Sequence, residues 1–241
     1  VLSEEEFEKE GAWTTQLMHD AGRKFSNLLR ESPNCTTLDD PCLPKDLPMI
    51  HWENVLLSAS SFRRGHVEIF DVAGRLSVLH VCVLPNLDDD APIFGFDMIA
   101  GPSRVTGIFL DLSPVTTQSR PTLADVVGAS ALGGFRERRT LPDWGDIFSP
   151  HVLAIRPTDR NEVTRALELA QQALEGMLAR LAIGSYADDA DVIRGQAAYM
   201  AAQRRNKHTQ RMLSGFIGDG AARKFIEDVL FPTMTLDQSS T

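Results

Sequence analysis

Four ionisable side chains stand in stretches that are otherwise apolar. His66 and Glu68 lie in FRRGHVEIF, His80 in RLSVLHVCVL, and Asp97 in PIFGFDMIAG. A histidine or carboxylate inside an apolar strand costs free energy unless it is paired or used. Two chemistries suit these residue types. One is acid–base catalysis, where burial and neighbouring charge bring imidazole and carboxyl groups toward the working pH. The other is a metal centre built from two histidines and one or two carboxylates. The residue types alone leave both open.

Strand parity decides whether the four meet. Side chains alternate faces along a strand, so His66 and Glu68 share a face, and His80 shares one with Leu76, Val78 and Cys82. A tight turn at DVAG pairs His66 with His80 and Glu68 with Val78. The acidic loop PNLDDD then reverses the chain and brings Asp97 within a residue of register of His80. The four groups converge on one face of three neighbouring strands. Gly95 and Gly101 fall on the Asp97 face, where missing side chains leave room for a flat ligand. A lone strand histidine is more often a satisfied core group, but four converging ionisable groups mark a site.

The elements that must position them follow from periodicity. Residues 4–31 read as a helix, with Phe7, Trp13, Leu17, Phe25 and Leu28 at helical spacing. ESPNCTTLDDPCLPKDLP is a Pro- and Asp-rich loop. From Trp52 to Leu112, strand patterns follow one another with short links, which predicts an antiparallel meander. Residues 115–150 are loop-rich, and HVLAIRP is one more strand closed by its proline. RNEVTRALELAQQALEGMLARLA is a helix with Val163, Leu167, Leu174, Met177 and Leu181 on one stripe. DADVIRGQAAYMAAQRRNKHTQRMLSGF and GAARKFIEDVLF continue the helical part, and TMTLDQSST is a fraying tail. The class is α+β, with helices covering both faces of the sheet. The expected organisation is a single domain over residues 1–241. It comprises an N-terminal helix and loop to about 50, mostly sheet over 51–157, helices over 158–232 and a tail over 233–241.

Composition removes several classes. The net charge of -9 argues against a nucleic-acid binder, which needs clustered Lys and Arg. No run of about 18 apolar residues is present to span a membrane. VLSEEEFEKE has neither a basic nor an apolar signal region. Cys35, Cys42 and Cys82 are odd in number and form no CxxC. A Cys35–Cys42 bridge would require an oxidising compartment, whereas a reducing cytosol or plastid stroma fits the thiols better.

The ordered series FRRGHVEIF, LSVLHVCVLP, PIFGFDMIAGPSRVTGIFLDLSP, LPDWGDIFSP, HVLAIRP and YMAAQRRNKHTQRML…VLFP resembles the ferredoxin-dependent bilin reductases, most of all their phycocyanobilin-forming branch. The likeness runs from about Phe62 to Pro232, and the first 50 residues show little of it. It implies a three-layer α/β/α sandwich with a central antiparallel sheet and flanking helices, and biliverdin IXα held between the sheet and the C-terminal helices. It also implies that no metal, flavin or nicotinamide is bound. Reduced ferredoxin supplies electrons singly, side chains supply protons, and the reaction passes through bilin radicals. Acid–base work is then favoured over a cupin-like metal centre. A bilin-binding protein without catalysis is a further alternative. The resemblance also implies a monomer in the cytoplasm, or in the plastid stroma if the source is an alga.

Carried over by position, the resemblance makes Asp97 the central proton donor and His80 its partner. Glu68 is tied to reduction of the D-ring vinyl group, and His66 holds the network. Arg156 and Thr106 match positions near the propionates, and Asn206 a helix position facing the bilin. The chain departs from the pattern after Asn206. Relatives carry Asn-Asp-Lys where this sequence has Asn206-Lys207-His208, with His208 in place of the lysine at a propionate. Glu68 with His80 favours phycocyanobilin as product. The altered run makes a related phage-type branch, which forms phycoerythrobilin, the rival. Ferredoxin is acidic like this chain, so docking calls for a local basic patch. RRNKHTQR, AARK and the RERR segment at 136–139 are the candidates.

Overall fold

The computed structural model describes residues 4–39, 47, 49–184 and 189–233. Seven strands form one sheet in chain order, every neighbour antiparallel: β1 Thr36–Thr37, β2 Ile50–Ser58, β3 Phe62–Val72, β4 Leu76–Pro85, β5 Ile93–Ala100, β6 Val105–Ser113 and β7 Leu153–Ile155. The meander is as the short links predict. β1 lies in the segment read as loop, where two threonines pair with Leu57 and Ser58. So short and polar a strand carries no alternation to be recognised.

The β3–β4 register differs from the sequence expectation. Val72 pairs with Leu76 around Ala73–Arg75, and Gly74 takes the positive φ of 65°. A left-handed position belongs to glycine, so the turn centres there, one residue later than assumed. Glu68 rather than His66 therefore faces His80, and His66 faces Cys82. The slip is even, so every residue keeps its face.

Helices cover both faces, giving an α/β/α sandwich within the α+β class. On one side lie α1 (Glu4–Arg30), α2 (Leu123–Val127) and α3 (Arg160–Ile183). Their core includes Met18, Phe25 and Leu29 against Ile69, Leu79, Phe96 and Met98. The buried stripe of α1 is rotated from the expected one, since Trp13, Leu17 and Leu28 are only half-buried. Gly22 explains the rotation: a Cβ there would stand 2.6 Å from Ile69 Cδ1, so the backbone itself rests on β3. The α3 stripe holds, with Val163, Leu174, Met177 and Leu181 buried and Leu167 partly so. Ala166, Ala170 and Ala173 complete it and let the helix approach closely. Asp159 caps α3, and Arg180 pairs with Asp89 at 3.2 Å and Asp90 at 3.0 Å, pinning the acidic β4–β5 loop.

The other side carries α4 (Asp189–Gln203), α5 (Lys207–Ile217), α6 (Asp219–Phe225) and a π-helical turn at Ile226–Leu230. The helical part breaks at Arg204–Asn206, where Asn206 begins α5 as its N-cap. Between β6 and β7 the chain forms α2 and two 3₁₀ turns, Ala129–Leu132 and Gly145–Ile147. Cys35 and Cys82 are free thiols, while Cys42 and the tail from 234 lie outside the described residues. Among the described residues no helix is long and apolar enough to cross a membrane.

Candidate active site

The observed pairing lines up two rows across the face beneath α4–α6. One runs Asn54, Glu68, His80, Asp97, Phe109, and the next Leu56, His66, Cys82, Gly95, Asp111. Directly opposed antiparallel residues lie close enough for their side chains to interact. His80 Nδ1 and Asp97 Oδ1 are 2.8 Å apart. The Trp52 indole donates to Glu68 Oε1 at 2.7 Å, and His66 Nε2 meets Asn54 Oδ1 at 2.6 Å. The His66 and His80 rings stand edge to face at 5.5 Å, and Phe231 closes on His80 at 5.8 Å. His66 Nδ1 and His80 Nε2 are buried with no hydrogen-bond partner among the described residues.

The two histidines are driven in opposite directions. Burial pushes His66 well below the usual imidazole range, and neighbouring His80 and Arg64 add to this. Burial also works against a charged His80. The Asp97 charge and hydrogen bond, with Glu68 behind them, outweigh it and hold His80 above the usual value. The fold thus favours the protonated form at His80 and the neutral form at His66. Between His66 and Gly95, burial raises the Cys82 thiol to about 12, so it sits protonated.

A cavity of about 500 Å³ opens over this face. That is ample for a cofactor-sized flat molecule. Asp97 reaches into it with 39% of its side chain accessible, against 7% for His80, so the carboxyl is the member of the pair a ligand meets. Glu68, Thr106, Asn206 and His208 also line the cavity. Thr106 Oγ1 donates to the Ile99 carbonyl at 3.2 Å. Asn206 Oδ1 is committed to the α5 cap, accepting from the His208 and Thr209 amides, which leaves its amide nitrogen for a ligand. His208 sits exposed at the rim. His66 supports the site from the next row without lining it.

Arg156 stands elsewhere. β7 ends at Ile155, and Arg156 is exposed in a second cleft with Glu10, Trp13 and Arg160. Arg139 lines the cavity instead, its Nη1 donating to the Thr106 carbonyl at 3.1 Å and its guanidinium 5.3 Å from the Phe109 ring. Gly107 makes this fit, because a Cβ there would lie 2.4 Å from Arg139 Nη1. A glycine inside the strand GIFLDL is the signal that something approaches closely. Gly95 is also not open space for a ligand: its vacancy is taken by the Tyr199 hydroxyl, 2.9 Å from where a Cβ would be. Gly101 follows a β-bulge at Ile99/Ala100 and does not line the cavity.

Asp111 was not singled out by the sequence either. It accepts from Ser113 Oγ and the Ser149 amide, both at 2.7 Å, and from Ser149 Oγ, and burial raises its pKa. This fixes the chain that carries Trp144 and Phe148, two aromatics of the cavity wall. Among the described residues no three His, Cys, Asp or Glu side chains are arranged to hold a metal ion.

Sheet order, helix layers and this polar row define a pocket-bearing α/β/α protein with a row of ionisable groups on the cavity floor. The family model for ferredoxin-dependent bilin reductase matches residues 46–232, and the chain belongs to that family: it is a ferredoxin-dependent bilin oxidoreductase. Among curated relatives, phycocyanobilin:ferredoxin oxidoreductase of Prochlorococcus marinus (strain MIT 9313) is 33% identical over 183 residues, 74% of this chain and 69% of that protein. The enzyme of the same name from Synechococcus elongatus is 34% identical over 185 residues, covering 74% and 75%. Two solved structures share the fold. PcyX has a TM-score of 0.63 and 23% identity over 90% of this chain and 98% of that one. Tomato phytochromobilin synthase, in complex with biliverdin, has 0.66 and 16% over 90% and 82%.

Proposed function

We propose that this chain reduces biliverdin IXα to phycocyanobilin, with Asp97 and His80 as the proton-donating pair. One observation carries the reading: the Asp97 carboxyl, hydrogen-bonded to a buried His80 whose pKa it raises, opens into a cavity of bilin size. Each reduced carbon–carbon double bond takes two electrons and two protons. An electron arriving from ferredoxin makes the bilin a radical anion, whose negative charge favours a proton from a neighbouring acid. Asp97 contacts the ligand and His80 replenishes it, so their protons are a shared property of the pair. Glu68 is next in the row, and its donor role is at the D-ring vinyl group. The reaction needs no resident metal, flavin or nicotinamide.

Arg139, beside Thr106, suits a propionate better than the distant Arg156, because a guanidinium offers two parallel donors to a carboxylate. His208 serves the same group from the rim. For ferredoxin, RERR is largely engaged: Arg136 pairs with Asp159 at 3.0 Å, Arg138 bonds the Leu132 carbonyl and Arg139 turns inward. Exposed Arg205, Lys207 and Arg211 around the rim residue His208 make no ion pair among the described residues. They form the docking patch for an acidic donor beside the cavity mouth.

Anaerobic turnover with biliverdin, ferredoxin and a reductant, followed by chromatography of the bilins, tests this directly. Phycocyanobilin is expected. A second reading, reduction to phycoerythrobilin, rests on the Asn206-Lys207-His208 run and would show as that product. Biliverdin bound without conversion would leave only a binding protein.

A further inference from the structure

Tyr199 is a buried phenol with an unspent proton facing the cavity. It projects from α4 over Gly95, two residues from Asp97 on the same face. Gln203, one helical turn later, donates Nε2–H to the Tyr199 hydroxyl at 2.9 Å. A phenol has one proton to give besides the lone pairs that accept. With the amide donating, that proton is left over, and among the described residues no acceptor takes it. Burial, with Cys82, Asp97 and Asp111 nearby, drives the phenol well above its usual pKa of 10, so it stays a neutral donor.

Its place in the sheet is specific. Along β5 the cavity face reads Gly95, Asp97, Ile99, and Thr106 bonds the Ile99 carbonyl beside Arg139. Arg139 and Tyr199 therefore flank Asp97 from opposite sides. A cation at one side selects a carboxylate, and a neutral hydroxyl at the other selects a neutral oxygen. A bilin carries both: propionates on its inner rings and lactam carbonyls on its outer ones. We propose that Tyr199 donates a hydrogen bond to a lactam oxygen of the bilin, on the side of Asp97 away from Arg139, and so sets which part of the ligand stands over Asp97. Gly95 is the permissive half of this device, since any Cβ would displace the hydroxyl. This rests on the bilin-reductase reading.

The test is titration of the protein with biliverdin, followed by absorbance, together with product analysis. Tyr199→Phe should weaken biliverdin about tenfold, shift the bound spectrum and broaden the product mixture, with the thermal midpoint little changed. Gly95→Ala should do the same in the Tyr199 background. In the Tyr199→Phe background it should add nothing, because the Cβ then has room. A Tyr199→Phe protein with wild-type affinity, spectrum and product overturns the proposal. If Tyr199→Phe does not fold, Gly95→Ala with wild-type behaviour overturns it equally. Failure of the wild type to bind biliverdin would instead sink the functional reading on which it stands.

Discussion

The two faces of one sheet are built from alternate residues of the same strands, yet they do different things. On β5, Phe94, Phe96, Met98 and Ala100 are fully buried against α1 and α3, while Gly95, Asp97 and Ile99 look into the cavity. On the first face helices touch down: Gly22 brings the α1 backbone onto Ile69, and an alanine stripe brings α3 close. On the second, Val192, Met200, Leu213 and Phe225 of the helices form another core with Phe70, Cys82 and Leu84 of the strands, Gly195 of α4 rests against the Val115 carbonyl beyond β6, and the Tyr199 hydroxyl reaches the strand floor at Gly95. Close approach fills space and excludes water, which stabilises the fold. Standing off leaves a volume in which a carboxyl and an imidazole can reach a ligand. Both faces carry a packed core, and the second also leaves the cavity over Asp97 unfilled.

Substitutions should sort by face. Asp97→Asn removes the proton that meets the ligand while keeping its shape. Turnover should fall by about a hundredfold or more, with a bilin radical accumulating under anaerobic reduction and only a modest loss of stability from the His80 pair. One residue away on the opposite face, Phe96→Ala should cost about 3–5 kcal/mol in denaturant unfolding, the loss expected for a fully buried ring. If both substitutions acted mainly on stability, the division of labour would be wrong.

The pH dependence follows from the two histidines. The His80 pKa is raised in the fold, so its contribution is complete below the ordinary imidazole value of 6.5 and lost as pH rises through the folded value. His66 is lowered, so its contribution is present above 6.5 and lost as pH falls through its folded value. Stability against pH should therefore decline on both sides. Asp97→Asn should remove the decline on the alkaline side, and His66→Gln should soften the acid side. Smallest of all, Lys207→Glu with Arg211→Glu should lower kcat/KM for ferredoxin by about three- to tenfold at low salt, and less at high salt. Arg136→Glu, already paired with Asp159, should change it less.

Much of this was legible in the chain because strand alternation is local. The faces of Glu68, His80, Asp97 and His66, the meander and the long helices all follow from periods of two and 3.6 residues. Register was legible only to within the turn centre, and the glycine at 74 with its positive φ moved the His80 partner from His66 to Glu68. Which arginine enters the cavity was not legible at all. Arg156 ends a strand in HVLAIRP, and Arg139 lies in a loop that reads as a surface charge run. Sequence by itself determined which residue types share each face of the sheet, because neighbouring peptide units dictate alternation. Only the tertiary structure decided that Arg139 fills the gap left by Gly107 and Tyr199 the gap left by Gly95. Those contacts join segments far apart in the chain, and close packing, not local propensity, selects them.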